Sequence, residues 1–233
     1  MGELVKSLFQ NPNLLILLLA DLARWLVNFI MASTAAYFFK YVINSMPLFS
    51  VYLLVANIMA MIGAFLSKTA AKKFSTRTSG IVGFFALGIL LLIAKFVVPN
   101  ATAVIVILSC AQFFLGFIYS LISAMYSDSV IYSEWKMGKN ASGWIMGLMN
   151  MPLKIANLVK GAVLPIALAA AGFVATIDPA AASQELKDGI TNIFITVPAI
   201  GILIGAVLLV IGYKLTKSKL DMMQKEISER TAA

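Results

Sequence analysis

Three cationic side chains lie inside long apolar runs of this sequence. They are Arg24, Lys154 and Lys160. Asp21 precedes Arg24 by three residues, on the same face of a helix, and this spacing predicts a structural ion pair. No carboxylate stands in the same position for Lys154 or Lys160, so these two cations need a partner, a route to water or a function.

Lys154 belongs to a strip of small and polar residues on one face of a helix. At ~100° per residue the strip covers about 80° of arc. Its members are Gly143, Gly147, Asn150, Lys154, Asn157 and Gly161. Such a strip is typical of a helix that lines an aqueous cavity, and also of one whose glycines and asparagines pack against another helix. The lysine favours the cavity, so we predict that Asn150, Lys154 and Asn157 line a substrate or cation pathway. Lys160, about 120° away, either snorkels or flanks it.

The composition is that of an integral membrane protein: 61% of residues are hydrophobic, 12% are charged, and the mean hydropathy is +0.94. A span needs ~20 apolar residues, and six runs qualify. They are residues 14–39, 48–70, 79–98, 101–126, 141–173 and 190–213. We therefore predict one all-α membrane domain over residues 1–233, with six transmembrane helices, a connector at 127–140 and a tail at 214–233.

Residue types argue against an enzyme. The chain has no His, its single Cys110 lies inside the fourth run, and no serine has a recognisable nucleophile setting. We predict no catalytic residue, no metal site and no cofactor.

The distribution of Lys and Arg predicts the orientation. Twelve lie in the N-terminal tail, the loop from Lys68 to Arg77, the connector and the C-terminal tail, whereas the other side of the membrane carries only Lys40, Lys95 and Lys187. Both termini are therefore expected to face the cytoplasm. The same bias explains the sequence pI of about 9.6 without a nucleic-acid partner, since no basic stripe is interleaved with exposed aromatic residues.

The connector carries the motif that distinguishes this membrane protein from others. Tyr132, Glu134-Trp135-Lys136 and Gly138 follow Asp128, and the helix bearing Lys154 comes next. This stretch resembles the C-terminal half of the glycoside-pentoside-hexuronide:cation symporters, the melibiose-carrier group of the major facilitator superfamily. The similarity extends over nearly the whole chain. It includes Asn11-Pro12, Phe38 to Val42, Ala71 to Phe74, and Tyr213 with the tail that follows.

The resemblance implies alternating-access transport of a sugar or glycoside, including uronides, coupled to H⁺ or Na⁺. Lys154 matches the lysine of the family's eleventh helix, near the substrate and cation sites. Asp128 matches a carboxylate before the connector, and the resemblance implies that it too belongs to the substrate or cation pathway. Residues 132–138 match a connector linked to conformational switching. Ser123, however, stands where members often carry an aromatic residue near the sugar.

Family members have twelve spans in two six-helix halves, with substrate held between them. This chain corresponds to the second half, and the family's cation-binding carboxylates lie chiefly in the first. One hypothesis is a half-transporter that works with a second six-span half or as a homodimer in a bacterial inner membrane. The alternatives are a fragment that folds without transporting, and a membrane partner protein whose polar strip binds an acidic helix.

Overall fold

A computed structural model describes residues 11–138 and 142–232 as an all-α protein. Six helices within these ranges are long and apolar enough to cross a membrane. They are α1 (Pro12–Val42), α2 (Met46–Phe74), α3 (Thr76–Phe96), α4 (Ala101–Met137), α5 (Ser142–Ala170) and α6 (Gln184–Gly212). A polar helix, α7 (Lys217–Ala232), follows. Each predicted span overlaps one of the six, as expected for half of a major facilitator bundle.

Asparagine side chains cap the first turns of two helices, and a glycine ends one of them. Asn11 accepts a hydrogen bond from the Leu14 amide at 3.1 Å, and Asn100 caps α4 through the Ala103 amide at 3.0 Å. Gly138 ends α4 in the left-handed region, at a φ of 65°. Residues 101–137 contain no proline, and residues 127–137 of the predicted connector continue α4 as a helix. With 37 residues, α4 is longer than the ~20 residues that a span needs, so it projects beyond the bilayer. Residues 139 and 140 of the connector lie outside the described ranges.

The fifth span, predicted at residues 141–173, is interrupted just before Pro152. It consists of Ser142–Leu148 and Met151–Ala170, separated by a turn at Met149 and Asn150. Pro152 explains the break because it has no N–H to continue the hydrogen bonding of the preceding helix. The turn places Asn150 between the two segments.

The helices differ in how deeply they are buried. In α2 and α5, only 17% and 11% of the most apolar stretch is buried, against 39 to 50% in the other four spans. α5 packs mainly on α1, and α2 mainly on α4. The outer faces of α2 and α5 are therefore the large uncovered surfaces of the bundle.

Two glycines bring α2 and α4 together. A Cβ at Gly63 would collide with the Phe113 carbonyl, and one at Gly116 with the Ala60 carbonyl. Helices in membranes use small residues in this way to approach closely. By contrast, a Cβ at Gly161 in the polar strip would meet no atom within 4 Å.

We expect Gly116→Val to destabilise the bundle by about 1–3 kcal/mol or more, because backbone atoms cannot move aside as a side chain can. Gly161→Val is the matched control and should leave the thermal midpoint of the detergent-purified chain nearly unchanged. Equal midpoints for the two variants would contradict this packing.

Candidate functional site

The predicted pair of Asp21 and Arg24 lies in the interior of the bundle. Arg24 Nη2 lies 2.6 Å from Asp21 Oδ1, and Arg24 Nε donates to the same oxygen at 2.7 Å. The Tyr126 hydroxyl on α4 donates to Asp21 Oδ2 at 3.2 Å. The two charged side chains are 4% and 1% exposed, so the ion pair is almost completely removed from solvent and lipid. The additional hydrogen bond supplies the polar support that a buried ion pair requires.

Two aromatic rings enclose the arginine. Its guanidinium carbon lies 4.3 Å from the Trp25 ring centroid and 5.1 Å from that of Tyr119. The two rings meet edge to face at 6.1 Å. These contacts are close enough for cation–π attraction and fix the orientation of the guanidinium plane.

Tyr119 is a residue that the sequence analysis missed. It lies one helical turn before Ser123, the position where the expected aromatic residue is missing, and it is 56% exposed. The spacing of four residues was visible in the sequence, but the approach of α4 to Trp25 on α1 was not. Tyr119 provides an aromatic surface of the kind that lines small-molecule sites.

A small cavity of about 110 Å³ adjoins this cluster. Its polar and aromatic lining consists of Asp21, Arg24, Trp25, Tyr119, Ser123 and Asn150. Asn150 belongs both to this lining and to the polar strip of α5. The structure thus joins the buried ion pair to the strip, two features that were separate in the sequence.

Most of the polar strip is left uncovered by the rest of the described chain. Asn150, Lys154 and Asn157 are exposed, and a Cβ added at Gly143, Gly147 or Gly161 would meet no atom within 4 Å. Lys154 forms no ion pair with any residue of the described ranges. Lys160 lies apart, with Nζ 5.3 Å from the Phe29 ring centroid.

A second polar cavity, of about 180 Å³, lies between α1, α2 and α4 and was not predicted. Its lining includes Asn28, Asn57, Tyr52 and Gln112. The Gln112 side-chain amide donates to the Tyr52 hydroxyl at 3.2 Å. Polar groups therefore reach the uncovered side of the bundle from α2 as well as from α5.

The connector residues lie far along α4, where α7 packs against them. Trp135 Nε1 donates to Glu226 Oε2 at 2.7 Å, and Arg230 Nη1 donates to the Trp135 carbonyl at 2.9 Å. Tyr132 contacts the Trp135 ring, with centroids 6.1 Å apart, and Lys136 Nζ lies 5.6 Å from the Tyr132 ring. α7 thus contacts the connector through both the side chain and the backbone of Trp135.

Further contacts close this end of the bundle. Arg77 Nε donates to the Tyr213 carbonyl at 2.6 Å, while the Tyr213 hydroxyl donates to the Met125 carbonyl at 3.0 Å. The Asp128 carboxylate lies close to Tyr213 at this end. Asp128 itself has a buried Oδ2 without a hydrogen-bond partner in the described chain.

Comparison with known proteins identifies the family of the chain. The family model for MFS/sugar transport proteins matches residues 1–217. The chain belongs to this family. An isoprimeverose transporter of Lactiplantibacillus pentosus is 27% identical over 98% of the chain. A putative sulfoquinovose importer of Salmonella typhimurium is 28% identical over 96%, and the putative glycoside/cation symporter YagG of Escherichia coli is 25% identical over 98%.

These matches support the resemblance to the glycoside-pentoside-hexuronide:cation symporters and identify an integral membrane protein of the major facilitator superfamily. They cover 48%, 47% and 49% of the three relatives. The chain therefore spans about half the length of the curated relatives it matches.

Proposed function

We propose that this chain is the substrate-facing half of a sugar or glycoside:cation symporter that works by alternating access with a second six-helix unit. That unit is either a second copy or another six-span half, on the same or a separate polypeptide. The observation that carries the proposal is the uncovered face of α2 and α5, where Lys154 and two asparagines are exposed at membrane depth. A lysine in this position would be costly against lipid.

Within this account, the cavity beside Arg24 and Tyr119 contributes to sugar binding. Tyr119 offers a ring face, and Asn150 offers an amide that can bind hydroxyl groups. Asn157 and Lys154 extend the polar surface toward the second unit, which supplies the remaining substrate contacts and the carboxylates that bind H⁺ or Na⁺. The names of the relatives support sugars or glycosides as the substrate class.

Sugar counterflow in liposomes tests the transport proposal. The chain is reconstituted alone and together with a candidate six-span half, and a panel of neutral glycosides and uronides is offered. Saturable counterflow in either preparation, lost in the Lys154→Met variant, is the expected result. Binding to an acidic helix without counterflow in either preparation would favour the membrane partner protein instead.

The proposed orientation places both termini in the cytoplasm of a bacterial cell. We expect a cysteine at Ala180 to react with a membrane-impermeant maleimide in intact cells, and a cysteine at Ser218 to react only after the cells are opened. Both positions are exposed, and Cys110→Ala removes the native thiol. The reverse labelling pattern would overturn the orientation.

The contact of α7 with the connector predicts a kinetic phenotype. Trp135→Phe keeps an aromatic ring at this position but removes the hydrogen bond to Glu226. We therefore expect the counterflow rate to change by about 3- to 10-fold, while substrate affinity stays within about twofold of wild type. Glu226→Leu, which removes the acceptor oxygen, should act in the same direction. Loss of affinity at an unchanged rate would show that the connector acts on the binding site instead.

A further inference from the structure

A groove lies where α1 begins, α6 ends and α7 passes beneath them. Its volume is about 410 Å³, and Ile16, Ile211, Leu215 and Met223 form much of its apolar wall. The groove shares no lining residue with the cavity beside Arg24, so the proposed sugar site does not use it. What fills it must match an apolar wall at a membrane surface.

A row of exposed apolar residues leads along α6 to this groove. Ile200, Ile204, Val207 and Ile211 recur at helical spacing on one face, and Ile211 is 68% exposed. In a membrane-spanning helix, a row of this kind contacts acyl chains. The row ends at the cytoplasmic end of α6, so a lipid lying along it has its headgroup beside the groove.

The rim of the groove is cationic. Lys214 and Lys219 belong to its lining and are exposed, and neither forms an ion pair within residues 11–138 and 142–232. The described lining contains no Asp or Glu. Asn13 Oδ1 accepts the Lys214 backbone amide at 2.7 Å and fixes this lysine at the end of α6. An apolar wall beneath two uncompensated lysines is complementary to an anionic amphiphile.

We propose that this groove binds one anionic phospholipid of the cytoplasmic leaflet. The headgroup phosphate lies between Lys214 and Lys219, and an acyl chain lies along the α6 row that ends at Ile211. Lysines at a membrane surface attract anionic lipids in this way. The leaflet follows from the proposed orientation, whereas binding itself depends neither on that orientation nor on transport.

Tyr132 gives the lipid a link to the connector. It lines the groove, and its ring contacts Trp135, which α7 holds through Glu226. A lipid packed against Tyr132 therefore stabilises the arrangement of the connector and α7.

Native mass spectrometry of the purified chain with phosphatidylglycerol or phosphatidylcholine tests the proposal. We expect preferential retention of phosphatidylglycerol, reduced about 10- to 30-fold in the double variant Lys214→Gln and Lys219→Gln. The control double variant Lys68→Gln and Lys73→Gln removes the same charge from the last turns of α2 and should retain the lipid as wild type does. Circular dichroism checks that all three proteins have the same helical content.

Three results would overturn the proposal. They are equal retention of both lipids, equal losses in the two double variants, and displacement of the lipid by water-soluble glycerophosphoglycerol or inorganic phosphate at matched concentration. The last would show a site for free phosphate without an acyl chain. A protein that binds the lipid but shows no counterflow would leave this site standing and count against the proposed function alone.

Discussion

Arg24→Met is expected to prevent this chain from folding stably, and Asp21→Asn in the same molecule is expected to restore much of the loss. The single change leaves Asp21 as a charge that is 1% exposed, with only the Tyr126 hydroxyl to support it. Breaking a buried ion pair in this way costs about 3–5 kcal/mol, whereas removing both charges is often nearly neutral. Thermal unfolding of the detergent-purified variants measures the difference.

The control for this experiment is Lys95→Met. Lys95 is exposed near the end of α3, where its Nζ donates a hydrogen bond to Asn192 Oδ1 at 3.1 Å. Its loss should lower the free energy of unfolding only slightly. If Arg24→Met were as stable as the control, Asp21 and Arg24 would not form a structural pair. Loss of stability in the double variant as large as in the single variant would also contradict the account.

Lys154→Met is expected to have the opposite profile, with the fold retained and coupled transport lost by about 100-fold or more. Lys154 makes no ion pair within the described ranges, so its removal takes no support from the bundle. Its charge matters only to a partner carboxylate or to an anionic substrate. Thermal unfolding and sugar uptake driven by an H⁺ or Na⁺ gradient, measured on the same preparation, separate the two properties.

The pattern across substrates identifies the counterpart of Lys154. If the counterpart is a carboxylate of the second unit, Lys154→Met should abolish transport of neutral glycosides and uronides alike. If it is the substrate, only the uronides should be lost. Lys160→Met is the matched control, since Lys160 lies over Phe29 and away from the strip. Wild-type transport by Lys154→Met would mean that this lysine merely snorkels.

Hydropathy predicted the six spans because each needs a long apolar run, and this signal does not depend on tertiary contacts. The pairing of Asp21 with Arg24 was likewise local, since three residues separate them on one helix. The strip of α5 followed from helical periodicity, and its glycines have open space beside them in the described chain. Its role in transport stays a prediction.

Contacts between distant segments could not be predicted from spacing. Tyr119 joins Trp25 only because α1 and α4 cross there, and Trp135 meets Glu226 only because α7 turns back beneath the bundle. Pro152 was visible in the sequence as a break in the hydrogen bonding of α5, but the place of Asn150 beside Arg24 and Trp25 was not. The site therefore needed the fold before its aromatic and amide groups could be assembled.

Photo-crosslinking in the membrane most directly tests whether the strip faces a second six-helix unit. A benzophenone amino acid at Asn157 is compared with one at Ile204, an exposed position on the outer row of α6. We expect position 157 to crosslink to another copy of the chain or to a six-span half of the same family, identified by mass spectrometry, and position 204 to yield lipid adducts. Lipid adducts alone at both positions would contradict the account.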